Sequence, residues 1–321
     1  MNSTLDILAI TGPIYLAIAL GYAFTRQGVF SRADMLVFGK FTINLALPAL
    51  LFNALSQRSL AEILNAQYML AYALGSLLMI LAGLWWTRKV QGHSLSYSSM
   101  LTMGMSCPNS GFVGYPIMLL TLGPVAGVAL ALNMVVENLL MIPLLLAVAD
   151  AQGGTPGQWR AVLWQTLKNL LKNPMILGIA GGFLFALSGL PMPLTLGRTI
   201  NLFAQASAAL SLFVIGGTLV GLQVQGLRWQ VAQIALGKLV LHPVLVLGAA
   251  LLAPLLGLPV LEGDMRTAAV LMAAMPMMGI FPILAQRYGQ ETLAAAALLV
   301  ATVASFFTLS GLLWLLRQWP Q

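Results

Sequence analysis

The sequence predicts an all-α polytopic membrane protein of ten transmembrane helices, arranged as a 5+5 inverted repeat with broken crossover helices in segments four and nine. Three observations lead there. Sixty per cent of the 321 residues are hydrophobic and only 7% are charged, where a soluble domain carries about 25% charged residues. The apolar residues gather into stretches of about 20, the length that crosses a hydrocarbon core. Two of those stretches interrupt themselves with proline and glycine at corresponding places in the two halves of the chain.

Taken in order, the stretches fall near 5–24, 35–55, 67–87, 98–121, 125–148, 172–190, 199–221, 231–254, 267–287 and 292–316. The first has no basic residues ahead of it and reads as a spanning helix, not a cleavable signal. Lys40 opens segment two as an interfacial anchor, with Asn44 one turn deeper and just before Pro48. Segment three is uncharged over residues 69–87. Segment five carries Glu137, and segment eight carries Lys238 and His242. The single cysteine, Cys107, excludes an intrachain disulfide and a Cys-based metal cage. No metal or other cofactor is expected.

The connections predict an orientation. Odd-numbered loops hold nine cations, Arg26, Arg32, Arg88, Lys89, Arg160, Lys168, Lys172, Arg228 and Arg287, and even-numbered loops hold three, Arg58, Arg198 and Arg266. The positive-inside rule therefore places the odd loops in the cytoplasm and both termini outside. These residues stand singly and form no stripe, so the net charge of +7 does not indicate nucleic-acid binding. The polar "AQGGTPGQ" lies in the longest connection and divides the chain into a first five-helix repeat (1–150), a cytoplasmic linker (151–171) and a second, inverted repeat (172–321).

The two halves are related. "PIYLAIALGYAFTRQG" (13–28) aligns without a gap on "PMILGIAGGFLFALSG" (174–189), with Pro13/Pro174, Gly21/Gly182 and Gly28/Gly189 among the identities. "ALGS" (73–76) pairs with "ALGK" (235–238), and "GFVGYP" (111–116) falls near "MMGIFP" (277–282). Five spans is an odd number, so the second copy must be inverted in the membrane, as in many secondary transporters.

The breaks are the functional signal. "SMLTMGMSCPNSGFVGYPIMLL" (99–120) holds Pro108, Asn109, Gly111, Gly114 and Pro116, and "AAMPMMGIFPILAQRYG" (273–289) holds Pro276, Gly279 and Pro282. Backbone released from a helix cannot face lipid, so it must be buried or line a watery cavity. Two breaks facing each other would offer peptide groups and helix N-termini to an anionic solute.

At membrane depth, Glu137 is a candidate proton-coupling or cation site, with Asn133 one turn away on the same face. It could equally be a carboxyl held by helix–helix hydrogen bonds. Lys238 and His242, four apart in "LGKLVLHPV", share a face. They could attract an anion, or Lys238 could pair with Glu137. In the alternative reading Lys238 snorkels to the interface and His242 caps backbone freed by Pro243. The seventeen Met residues form no regular cluster and read as packing.

"NSGFVGYPI" (109–117) resembles the Asn-x-x-x-x-Gly-x-Pro signature of the auxin efflux carrier family, which includes plant PIN-type carriers and bacterial permeases. "PMMGIFPILAQRY" (276–288) resembles the family's second crossover, and "LALPALLF" (45–52) and "LSLFVIGGTL" (210–219) its second and seventh segments. The resemblance spans the chain. It implies crossing of segments four and nine, a scaffold or dimer part near segments one, two, six and seven, and a transport part formed by the rest. It implies a homodimer in the inner membrane. It implies that Asn109 contacts substrate and that Pro116 and Pro282 mark the crossover together with Pro108 and Pro276. The substrate-binding candidates are Asn109, Ser110, Gly111, Gly279, Ile280 and, on the cavity wall, Asn44. The chain lacks the charged pair of the plant carriers' third segment and their long cytoplasmic domain, which points away from auxin itself; the resemblance to bacterial members, which include carriers of small dicarboxylates, implies a carboxylate such as malonate or malate, or an auxin-like acid.

The expected function is secondary transport of a small organic anion by alternating access, with a proton or sodium ion as the candidate coupling ion. A bile-acid-symporter-like carrier of a larger anion has similar architecture but lacks this motif arrangement. An intramembrane enzyme would need a nucleophile with a base or a metal cage, and no Gly-x-Ser-x-Gly or His-Glu-x-x-His motif is present. A channel would need a filter-like loop, and none is seen.

Overall fold

The computed structural model describes residues 3–58, 65–151, 168, 171–222, 228–257, 260–261 and 263–318. Residues 152–160, which hold most of "AQGGTPGQ" and Arg160, lie outside them. Among the described residues the regular elements are helical and there is no strand. Helix occurs in each of the ten apolar stretches. We number the elements α1 (Ser3–Arg26), α2 (Arg32–Ser56), α3 (Ala66–Val90), α4 (Leu95–Ser106), α5 (Ser110–Leu122), α6 (Val125–Asp150), α7 (Pro174–Ser188), α8 (Leu194–Thr218), α9 (Trp229–Leu255), α10 (Gly263–Ala274), α11 (Phe281–Gln286) and α12 (Glu291–Gln318). Six of these, α2, α3, α6, α8, α9 and α12, are long and apolar enough to cross a bilayer. Their number and apolarity make this a multi-pass membrane protein.

Local chemistry fixes the ends. Ser31 and Asp34 form a capping box on α2, with Ser31 N–H donating to Asp34 Oδ2 at 2.8 Å and Asp34 N–H to Ser31 Oγ at 3.2 Å. Asn173 caps α7 by accepting from Met175 N–H at 3.0 Å, and Gly189 closes it at φ 63°.

Four helices contain or begin with a wide, π-type turn that ends two residues before a proline. These turns are Thr42–Ala46 before Pro48, Ser110–Gly114 before Pro116, Glu137–Met141 before Pro143 and Gly237–Leu241 before Pro243. A proline ring clashes with the carbonyl four residues back, and widening the turn relieves the clash without ending the helix. Asn44, Ser110, Gly111, Glu137 and Lys238 all lie in these turns, and π-turns concentrate at functional sites.

The described residues form two compact units. The first comprises residues 1–66, 110–134 and 170–221, and so contains α1, α2, α5, α7, α8 and the start of α6. In it α1 packs on α8, and α7 on the second half of α2. Both contacts run through glycine. A side chain at Gly21 would collide with the Phe213 backbone, and one at Gly182 would lie 2.8 Å from the Phe52 carbonyl oxygen. Without a hydrophobic drive between helices in lipid, such close approach of small residues is what holds them.

The second unit comprises residues 67–109, 135–169 and 222–321. Its core is lined by α4, the end of α6, α9, α10 and α12, and α4 and α10 are buried along most of their length. At one end Asp150 accepts from Tyr288 Oη at 2.9 Å and pairs with Arg287 at 3.4 Å. Burial first, then the bond to Asp150 and its charge, push the Tyr288 phenol up to about 12, so it stays a donor at neutral pH.

Candidate functional site

In the second unit the two breaks meet. Pro108 forces Cys107 into extended backbone (φ −85°, ψ 108°), and Pro276 likewise follows the last turn of α10. The freed segments pair as a short antiparallel bridge between Pro108 and Met277. Asn109 N–H donates to the Pro276 carbonyl at 2.7 Å, and Met278 N–H to the Cys107 carbonyl at 3.1 Å. The Cys107 and Pro276 carbonyls are thus each taken up by the opposite segment, as a water-poor interior requires. Pro108 occupies a position of the pair that uses no N–H, so its missing donor costs nothing there.

A buried polar chain leads to this crossing. Lys238 is fully buried. Its ammonium donates to the Ala273 carbonyl in the last turn of α10, where the break leaves carbonyls without helical partners, and lies 3.0 Å from His242 Nδ1. Both ring nitrogens of His242 are thus engaged, Nδ1 by Lys238 and Nε2 by Ser76 Oγ at 2.9 Å; an ammonium at Lys238 would donate to Nδ1 and put the imidazole proton on Nε2. The His242 ring lies 6.0 Å from that of Tyr72, which stacks on Tyr68 at 6.1 Å and donates to Glu137 Oε1 over a long 3.5 Å. The Lys238 amine therefore sits at the carbonyl end of the broken helix α10, where the helix dipole favours a donor. The snorkelling alternative for Lys238 fails because the ammonium is consumed inside. His242 lies between Lys238 and Ser76.

The remaining predicted residues are distributed as follows. Asn109 is buried, with its N–H in the bridge. Gly279 and Ile280 follow the second bridge segment and are exposed. Pro276 lies in the bridge segment, whereas Pro282 stands in the first turn of α11 and Pro116 within α5, beyond the break itself. In the first unit, Asn133 Nδ2 lies 3.4 Å from Ser110 Oγ, and Gly111 faces the Leu47 side chain. Asn44 is exposed on α2 and donates to its own helix at the Lys40 carbonyl, 2.7 Å away. Residues 138 and beyond on α6 continue toward Asp150 without a further acid. The sequence reading passed over Tyr68, Tyr72 and Ser76. Their signal was present, since they recur every four residues and so share one face of α3.

No group of three or more potential metal ligands occurs among the described residues. Comparison with known proteins agrees with this picture of a membrane carrier. A family model described as "Membrane transport protein" matches residues 9–314. The chain is 30% identical over 320 residues to a Rhizobium meliloti protein named "Putative malonate transporter", covering 98% of this chain and 97% of that one. It is 25% identical over 314 residues to the "Uncharacterized transporter YfdV" of Escherichia coli K12, covering 94% and 95%. A 230-residue match at 30% identity to an "Uncharacterized transporter" of Methanothermobacter thermautotrophicus covers 67% of this chain and 74% of that protein.

Proposed function

Because this chain belongs to the membrane transport protein family of auxin efflux carriers, we propose that it is a secondary carrier of a small organic carboxylate, malonate foremost, working by alternating access. The family is one of transporters, so the ligand is a small molecule. The observation that carries the reading is the bridge between the two breaks, which holds the Asn109 N–H on the Pro276 carbonyl and buries Asn109 at the crossing. The crossover would hold one carboxylate of the substrate through Asn109 and the Gly279–Ile280 turn.

Ten membrane segments in two inverted sets, 1–150 and 172–321 joined by 151–171, would build this site. The reciprocal packing of the first unit supports that arrangement. Segment one packs on segment seven, and segment six on segment two. The aligned glycines Gly21 and Gly182 occupy both close approaches. In the same reading segments one, two, six and seven form the scaffold or dimer part and the rest the transport part, in the inner membrane with both termini outside. Glu137, beside Tyr72, would be the group that takes up a coupling proton, with Asn133 one turn away. Lys238 and His242 would keep the crossover in shape and would not touch substrate.

The test is flux. Protein reconstituted with internal malonate should exchange labelled malonate saturably, and Asn109→Ala should abolish exchange while remaining monodisperse and folded. Absence of saturable exchange with malonate, malate or oxalate would defeat the proposal.

A further inference from the structure

In the second unit, α3 finishes with two tryptophans and two cations. Trp85 and Trp86 are 61% and 41% exposed, and Arg88 and Lys89 are exposed in the turn that follows. Arg88 donates through Nη1 to the His93 carbonyl at 3.1 Å, which uses one of its five N–H donors. Lys89 makes no hydrogen bond or ion pair among the described residues. The start of α9 is fixed beside this end. Gln91 Nε2 donates to Gln233 Oε1 at 2.9 Å, and Gln233 Nε2 to Gln91 Oε1 at 3.3 Å. Trp229, one turn before Gln233 on the same face of α9, is 62% exposed and brings a third indole.

The sequence offers these cations little to neutralise them. The chain has no acid between Glu62 and Glu137 and none between Asp150 and Glu262. The second of those ranges includes the whole connection 151–171, which adds Arg160 and Lys168 and so would be repelled. Asp150 is engaged by Tyr288 and Arg287. Glu291 lies in the first turn of α12, where its charge complements the helix dipole. Exposed indoles suit the membrane interface, with the ring body toward the acyl chains and the N–H toward the headgroups. Indoles alone would suit a neutral lipid. Two adjacent cations without a facing acid select a negative headgroup, and guanidinium matches phosphate with two parallel hydrogen bonds. We propose that the joined ends of α3 and α9 bind an anionic phospholipid, with Arg88 and Lys89 on its phosphate and the indoles of Trp86 and Trp229 against its glycerol and upper acyl chains. In the orientation proposed above this is a lipid of the cytoplasmic leaflet. Its binding is independent of the solute carried.

The experiment titrates the full chain in detergent micelles with phosphatidylglycerol, phosphatidylcholine or inorganic phosphate, at low and high salt. Melting temperature and native mass spectrometry report the bound ligand. Phosphatidylglycerol should stabilise wild type more than phosphatidylcholine does, and high salt should shrink the difference. Lys89→Gln should weaken phosphatidylglycerol binding about fivefold at low salt, and Arg88→Gln/Lys89→Gln about 30-fold. Arg88→Lys keeps the charge and should retain most of the binding. Arg198→Gln, which removes one exposed charge from the first unit, should bind as wild type does. Lys89→Gln alone carries the test where the double variant fails to fold. Equal stabilisation by the two lipids, unaltered binding in folded Lys89→Gln, or the same loss in Arg198→Gln would overturn the site. Stabilisation by inorganic phosphate equal to that by phosphatidylglycerol would overturn the lipid as its occupant.

Discussion

The sharpest test of the packing uses two neighbouring glycines on α7. A Cβ at Gly182 would lie 2.8 Å from the Phe52 carbonyl oxygen and 2.9 Å from its Cα, with Leu55 Cβ at 3.1 Å. A Cβ at Gly181, one residue earlier, would meet only the Phe52 ring at 3.4 and 3.6 Å, an ordinary contact. Alanine gains the same helix propensity at both sites, so the difference between Gly182→Ala and Gly181→Ala isolates the steric overlap. Backbone atoms cannot rotate away, and overpacking of this kind costs about 1–3 kcal/mol. That is roughly a 5- to 150-fold difference in the folded-to-unfolded ratio. Reversible unfolding in mixed detergent, followed by circular dichroism, measures it. Gly182→Ala should unfold earlier than wild type, and Gly181→Ala at or above it. Equal stabilities would refute the claim that α7 and α2 touch through backbone at this point.

Three further outcomes are expected. Lys238→Met keeps the volume but removes donation to the Ala273 carbonyl and His242 Nδ1, and should lower stability by about 1–3 kcal/mol in the same unfolding assay. Pro108→Cys with Met277→Cys, in a Cys107→Ser background, should form a disulfide on mild oxidation. Directly opposed residues of an antiparallel pair without mutual hydrogen bonds are about 4.5 Å apart at Cα, within bridging range. Loss of maleimide labelling and a reductant-reversible block of flux would report it. Arg287→Gln removes an ion pair whose cation is 72% exposed, and should change stability by no more than about 0.5 kcal/mol.

Much of this was legible in the sequence because proline and glycine act locally. Pro108 and Pro276 dictate where helix stops, whatever surrounds them, so both breaks could be located from residue type alone. Glu137, Lys238 and His242 stood out because charge is rare at membrane depth. What they bond to was not legible. Whether Lys238 reaches water or a carbonyl depends on where α10 ends in space, and nothing in "LGKLVLHPV" encodes that. The pairing of the breaks is also a tertiary fact, since each carbonyl finds its donor more than 150 residues away along the chain. Tyr68, Tyr72 and Ser76 escaped notice because neutral polar groups on an apolar helix look like ordinary packing until a buried imidazole is found beside them.

The central claim, a carboxylate held at the crossover through Asn109, is tested most directly by ligand-induced stabilisation. Melting temperatures would be measured for wild type and Asn109→Ala against malonate, malate, oxalate and indole-3-acetate, at two pH values and with or without sodium. A ligand bound only by the folded state must raise the melting temperature, by an amount that grows with concentration over Kd. The account predicts stabilisation of wild type by a short dicarboxylate, malonate first, and its loss in Asn109→Ala. A well-folded wild type that responds to none of the four acids, or an Asn109→Ala variant stabilised as strongly as wild type, would contradict it.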